Sequence, residues 1–254
     1  MSTQEERRLW LIQALAAERG GDLEIPKGMD AQNQLLRALF NVRPPMPVSG
    51  EFLQVQDAYL QEEICRKGIT DHRSLQPVQP GVYLWQGDIT TLKCGAIVNA
   101  ANPQMLGCFM PRHGCIDNAI HTFAGVQLRL ECAEIMGKQG HEEPTGTAKM
   151  TGAYNLPCDS ILHTVGPIVS GEVTPQDEKL LEDCYGSCLE LAQKKGIKSV
   201  AFCCVSTGVF RFPNRRAAEI AVETVRKYRG GMEVIFNVFK DRDYEIYREL
   251  LGGN

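Results

Sequence analysis

From about Gln76 onward, short runs of β-branched and aromatic residues alternate with longer segments of helical period, and that alternation leaves few folds open. The pattern predicts strands over residues 82–85, 96–99, 148–154, 160–165, 199–205 and 233–239. Between them it predicts helices over 117–136, 176–195, 213–229 and 243–251. Such a chain folds as α/β, with a mixed sheet between two helical layers and ligands collecting in loops beyond strand ends. Neither a GxGxxG nor a GxxxxGK[ST] run occurs, so the usual dinucleotide and nucleoside-triphosphate loops are not supported.

Residues 1–73 lack the alternation. Apolar side chains recur there at helical spacing, in Leu9, Ile12, Leu15 and Ala16, in Leu35, Leu36, Leu39 and Phe40, and in Phe52, Val55, Tyr59 and Leu60. Gly20-Gly21 and the proline-rich segment 42–47 break the pattern. This stretch reads as an N-terminal helical extension (1–73) packed on a main domain at 74–254, and it carries no motif with chemistry of its own.

No apolar run approaches the roughly eighteen residues a membrane span needs. A formal net charge of −4 argues against non-specific nucleic-acid binding. The first residues make a poor signal peptide and a good amphipathic helix, so the ten cysteines are expected to be thiols in a reducing cytoplasm. Cys132, Cys158, Cys203 and Cys204 are expected in the core, together with His121 and His163; His72 and His141 lie in polar loops and are expected to be solvated.

The exceptional cysteines are in Cys108-x4-His113-x-Cys115, three ligands of the kind zinc favours. An accidental cluster and a closed structural site completed by a distant Cys or His are both compatible with this spacing. A closed site usually brings a second ligand pair. None is present, since Cys184 and Cys188 have the spacing of a helix face and Cys203-Cys204 sits in an apolar run. That favours three ligands and an open coordination position. Two thiolates cancel the formal charge of the metal, which points to Lewis-acid help rather than a free zinc hydroxide. Asp117 and Asn118 then open a helix, whose N-terminus favours anionic or hydroxyl-rich ligands. Met105 and Phe109 flank the loop and are expected to pack. Later, the apolar run ending at Val205 passes through Ser206-Thr207-Gly208-Val209-Phe210 into a helix opened by Pro213-Asn214, a turn that could cradle phosphate with backbone N–H groups.

Taken in order, Gly87-Asp88-Ile89-Thr90, Val98-Asn99-Ala100-Ala101-Asn102, Gly114-Cys115-Ile116-Asp117-Asn118, Tyr154-Asn155-Leu156-Pro157, Ile161–Pro167 and Ser206–Phe210 resemble the macrodomain family, modules that bind ADP-ribose. The Cys-His-Cys insertion is similar to the zinc-dependent branch, whose members remove ADP-ribose from proteins. The resemblance covers about residues 74–254 and implies a three-layer α/β/α macrodomain. It implies that Asp88 accepts from the adenine amino group with Ile89 nearby. Ser206, Thr207, Gly208, Val209 and Phe210 then wrap the diphosphate, with Ile116 closing over it. Asn102 and Asp117 face the distal ribose as the catalytic pair, Asn118 joins the ligand-binding set, and Zn2+ sits beside that ribose on Cys108, His113 and Cys115. Without the resemblance, Asp117 reads as a helix cap and Asn102 as a turn residue. Two departures from the family stand out: Pro111-Arg112-His113-Gly114-Cys115 replaces a glycine run, and Arg211 stands where many members have glycine.

The expected function is a zinc-dependent ADP-ribosylhydrolase acting on a mono-ADP-ribosylated protein through an acidic-residue ester. A lipoyl-carrier protein of the glycine cleavage type, modified by a sirtuin-like transferase, is the partner the resemblance implies. The alternatives are a non-catalytic ADP-ribose reader and a hydrolase of small esters such as O-acetyl-ADP-ribose.

Overall fold

A computed structural model describes residues 3–21 and 23–252. Three helices come first, α1 (Gln4–Glu18), α2 (Met29–Val42) and α3 (Gly50–Lys67). They are followed by β1 (Thr70–Asp71), β2 (Val82–Gln86), β3 (Leu92–Lys93), β4 (Ala96–Ala101), α4 (Ile116–Ala124) and α5 (Val126–Gln139). Then come β5 (Ala148–Gly152), β6 (Ser160–Val165), α6 (Pro175–Lys194), β7 (Ser199–Phe202), α7 (Asn214–Tyr228), β8 (Glu233–Val238) and α8 (Asp241–Gly252).

The main sheet has the order β2-β8-β7-β4-β6-β5. Every pair is parallel except β5 with β6, so the sheet is mixed, as expected. The central strand β4 runs in register with β6 from Ala96 opposite Ser160 to Ala101 opposite Val165. Both strands are buried along nearly their whole length, which is why they read as apolar runs rather than as an alternation. On one face α7 packs between α6 and α8; on the other α4 and α5 lie against the sheet, and α2 and α3 reach over α4. The first three helices bury their own apolar cluster, built on Leu11, Ile12, Leu36, Phe40 and Leu60, and Val126 of α5 joins it from the sheet side.

Four expectations need correction. The helix expected over 117–136 breaks at Gly125, whose φ of 97° no helix accommodates. A Cβ at Gly125 would come within 2.7 Å of the Gln56 side chain, so the break also lets α3 approach. Strands β5 and β7 end earlier than expected, at Gly152 and Phe202. The residues after β7 turn into a loop at the carboxyl edge of the parallel strands, whereas those after β5 turn at the opposite edge, where Gly152 pairs with Ser160. His72 is buried rather than solvated, its ring nitrogens bonded to Lys93 O at 3.0 Å and Glu233 Oε2 at 3.1 Å. Cys204 is half-buried two residues beyond β7, whereas Cys132, Cys158 and Cys203 are core.

Candidate active site

Because β2, β8, β7, β4 and β6 run parallel, their carboxyl ends share one edge of the sheet. Asp88 lies two residues beyond β2, Asn102 directly after β4, Gly166 directly after β6 and Ser206 in the loop after β7. The expected ligand residues are therefore gathered by topology alone, at the edge where open α/β sheets bind ligands.

At one end, Asp88 caps a single 3-10 turn over Ile89–Thr91. One carboxylate oxygen accepts from Thr90 N at 3.0 Å and Thr90 Oγ1 at 2.6 Å; the other accepts from Lys67 Nζ of α3 at 2.9 Å. Burial pushes this carboxyl up, but the bonds from Thr90 and Lys67 outweigh it and hold the group below its ordinary pKa. The Lys67 ammonium also lies 3.3 Å from the centroid of the Phe123 ring.

The loop after β7 is held by its edges. Phe212 N donates to Ser206 O at 3.0 Å, Arg211 N to Gly208 O at 3.1 Å and Thr207 Oγ1 to Cys204 O at 3.0 Å. Ser206 and Arg211 adopt positive φ, 64° and 60°. The N–H groups of Gly208, Val209 and Phe210 find no acceptor among the described residues, and Ser206 Oγ is buried without a partner. Loop and sheet edge are joined by Val169 N, which donates to Phe210 O at 2.9 Å.

Asp117 is the second residue of α4 and is almost fully buried. Asn99 Nδ2 donates to its Oδ1 at 2.8 Å and Asn102 Nδ2 to its Oδ2 at 3.3 Å. A helix N-terminus alone favours a fully ionised carboxylate; here burial wins over the Asn99 bond and raises the pKa to about 6. Asn102 also donates to Gly107 O at 3.0 Å, while its Oδ1 is buried and unpartnered. Sequence reasoning gave Asn99 no role. The signal was there, as a lone amide in an otherwise apolar strand.

Behind Asn99, His163 lies fully buried in β6. An amide nitrogen only donates, so Asn99 Nδ2, 3.1 Å away, assigns His163 Nδ1 as acceptor and places the proton on Nε2, facing Thr151 Oγ1 at 2.8 Å. Burial lowers the pKa of His163 to about 4 and pushes that of His121 well below the ordinary range. His121, Cys132 and His163 form a second cluster of metal-type donors, but both ring nitrogens of His163 are already bonded. A histidine held neutral by the fold stabilises it above the unfolded pKa of about 6.5, and the contribution is lost as pH falls towards the folded value. Urea unfolding is therefore expected to show that His163→Gln loses less stability than the wild type as pH falls from 6.5 to about 4, the contributions of other groups being common to both. Identical pH profiles for the two proteins would contradict the assignment.

The loop from Pro103 to Cys115 brings the three soft donors together. The ligand atoms of Cys108, His113 and Cys115 lie within 4.8 Å of one another, with Cys108 Sγ 3.5 Å from His113 Nδ1. Cys115 is also the N-cap of α4, its sulfur accepting from Asn118 N at 3.4 Å. Burial, and then the neighbouring Cys108, push the Cys115 thiol up to about 12. A cation between two such sulfurs reverses that balance, so the set fits a metal that prefers thiolate and imidazole. Ile116 is half-buried at the start of α4. Asn118 is fully buried, and its amide is spent on the loop: Nδ2 donates to Cys108 O at 3.3 Å and Met110 O at 3.0 Å. Met105 is buried, and Phe109 lies under the Arg129 guanidinium at 4.4 Å.

Comparison with known proteins agrees with this geometry. Residues 98–221 match the Macro domain. A protein-ADP-ribose hydrolase of Treponema medium is 56% identical over 260 residues, covering 98% of this chain and all of the relative. The protein of the same name from Staphylococcus aureus strain MSSA476 is 48% identical over 257 residues, covering 98% of this chain and 96% of its own. Among solved structures, a Trypanosoma brucei macrodomain in complex with ADP-ribose aligns with TM-score 0.65 and 31% identity, over 85% of this chain and 95% of that one. An Oceanobacillus iheyensis macrodomain with ADP aligns with TM-score 0.61 and 38% identity, over 70% of this chain and 93% of that one. With its parallel strand ends, its turn of free N–H groups after β7 and its Asn102–Asp117 pair, this chain belongs to the macrodomain family.

Proposed function

We propose that the chain is a zinc-dependent hydrolase that releases ADP-ribose from a mono-ADP-ribosylated protein, with an acidic side-chain ester as the linkage. One observation carries this reading. Cys115, a metal-type donor, caps the helix whose second residue, Asp117, is bonded by Asn102 from the end of β4. Metal donors, a buried carboxylate and an amide with an unpartnered oxygen thus converge within one loop–helix junction. The names of the relatives from Treponema medium and Staphylococcus aureus, and the ADP-ribose held by the Trypanosoma brucei neighbour, support the substrate class.

In this reading the nucleotide is clamped first. Asp88 accepts a hydrogen bond from the adenine amino group on a carboxylate already fixed by Thr90 and Lys67. The free N–H groups of Gly208, Val209 and Phe210 take the diphosphate, as backbone amides in a tight turn do. Asn102 Oδ1 accepts from a hydroxyl of the distal ribose, which seats C1 of that sugar beside Asp117. The C1–O bond to the acyl group breaks with its electron pair going to the carboxylate oxygen. Asp117, held by two amides, orients the water that adds to C1 and takes its proton. Cys108, His113 and Cys115 would hold the metal, which when bound supplies stabilisation of the negative charge on the departing oxygen. The acceptor we propose is an acidic side chain, on a lipoyl-carrier protein of the glycine cleavage type as the resemblance implies.

The test is release of free ADP-ribose from three substrates: a protein carrying an acidic-residue ester, one carrying an arginine linkage, and O-acetyl-ADP-ribose. The expected outcome is turnover of the protein ester at least about tenfold faster than that of the arginine linkage, because a carboxylate leaves more readily than a guanidine. Tight binding of ADP-ribose with no release from any substrate would mark a reader. Turnover of the acetyl ester alone would mark a small-ester hydrolase.

A further inference from the structure

We propose that α2, which lies outside the macrodomain sheet, is the positioning element of the Cys108–Cys115 loop and acts through Arg37 and Asn41. The inference rests on the reading of Cys108, His113 and Cys115 as metal ligands.

The loop does little to hold itself. Its own backbone bonds are Met105 N to Asn102 O at 2.9 Å and His113 N to Met110 O at 3.2 Å. Two of its non-glycine residues, Met105 and Arg112, sit at positive φ, 58° and 57°, a conformation that persists only where the surroundings enforce it. The enforcement at Arg112 comes from α2. Asn41 Oδ1 accepts from Arg112 N at 2.8 Å, and Asn41 Nδ2 donates to Thr122 Oγ1 of α4 at 2.9 Å. Asn41 is itself buried, so neither bond is traded with solvent.

One turn earlier on the same helix, Arg37 Nη2 donates to the carbonyl of His113, a ligand residue, at 3.1 Å. The same guanidinium donates to Asn118 Oδ1, at 2.9 Å from Nη2 and 3.3 Å from Nε. Asn118 passes the constraint on, since its amide nitrogen holds the carbonyls of Cys108 and Met110. Arg129 closes the arrangement: its Nε donates to Leu106 O at 2.7 Å, and its Nη1 donates to Phe40 O at 3.0 Å and to Arg43 O at the carboxyl end of α2. The backbones of Cys108 and His113 are thus fixed by side chains that begin on α2. Groups that orient ligands from behind typically cost about 10–100-fold in metal affinity when removed. A guanidinium suits the task because its planar fork reaches two acceptors at once, whereas an ammonium is a point donor.

The experiment uses the full chain, loaded with zinc and, separately, with cobalt. Zinc affinity is read by competition with a chromophoric chelator, ligand geometry by the cobalt–thiolate absorption, and the clamp by the Kd of free ADP-ribose. Arg37→Ala and Asn41→Ala are each expected to weaken zinc about tenfold or more and to change the cobalt spectrum, with the ADP-ribose Kd within about twofold. Arg37→Lys is expected to fail to rescue, and it carries the test if Arg37→Ala does not fold. Arg66→Ala, in the same extension but paired among the described residues with Glu62 and Glu63 and not with the loop, is expected to change none of the three. Unchanged zinc affinity and cobalt spectrum in the Arg37 and Asn41 variants, against a wild type that binds both metals, would overturn the inference and leave the metal reading standing. A wild type that retains neither metal would overturn both.

Discussion

Cys115→Ser is expected to lower the rate of ADP-ribose release about 10³-fold while leaving the Kd of free ADP-ribose within about threefold. The substitution separates the helix cap that the thiol supplies from the metal ligation we propose for it. As N-cap, Cys115 accepts from Asn118 N, and serine is among the best acceptors for that position, so α4 and the placement of Asp117 survive. As a soft donor it has no equal in serine, whose hydroxyl holds zinc poorly at neutral pH. Loss of roughly 4 kcal/mol of charge stabilisation at the departing oxygen corresponds to the stated factor. Stripping the wild type with a chelator is expected to reproduce the loss, and added zinc to reverse it in the wild type but not in the variant. The nucleotide clamp we propose is built elsewhere, from Asp88 and the loop after β7, so binding is not expected to follow rate. Wild-type rates in chelated protein would sink the metal's role. Parallel loss of ADP-ribose affinity in the variant would mean that the loop merely shapes the cleft.

How far the chain could be read without coordinates depended on the range of the interaction. Strand positions were legible because burial on both faces leaves an unbroken apolar run, and β6 falls at 160–165 as the pattern predicts. The soft-donor cluster was legible because its members lie within one short loop. Gly125 carries a local signal of the helix break, a glycine inside an otherwise helical pattern. What stayed hidden was long in range. Arg37 and Asn41 meet the loop at sequence separations of 76 and 71, and nothing in the periodicity of α2 marks them beyond being polar. His72 looked solvated because its partners, Lys93 and Glu233, are remote in sequence. Asn118 looked like a ligand residue by its place in the motif, yet its amide braces the loop behind the donors. A motif position and a ligand contact are therefore different things, and the hydrogen-bond partners of the side chain separate them.

At the carboxyl end of β6, Gly166→Ala is the second substitution of large expected effect. Gly166 follows β6, and the loop after β7 closes against it so tightly that a methyl group there would sit 2.0 Å from Ser206 Oγ and 2.9 Å from Val205 Cγ1. Rotating the unpartnered Ser206 hydroxyl relieves only part of the clash, because Ser206 Cβ stays 3.3 Å away on a backbone held at a φ of 64° with its carbonyl pinned by Phe212 N. The added carbon pushes the loop outward, carrying with it the N–H groups of Gly208, Val209 and Phe210 that we propose for the diphosphate. Overpacking of this kind costs about 1–3 kcal/mol in stability, and misplacing several donors together is expected to weaken ADP-ribose binding about 100-fold. Calorimetry of ADP-ribose binding, alongside thermal unfolding, checks both. Adding Ser206→Gly supplies a rescue, since glycine accepts a positive φ at no steric cost and removes the hydroxyl that clashes. The double variant is expected to regain most of the lost affinity, though not all, because Val205 still crowds the site. A double variant that binds no better than Gly166→Ala would show that the β6 end acts on the ligand by some route other than the loop it touches.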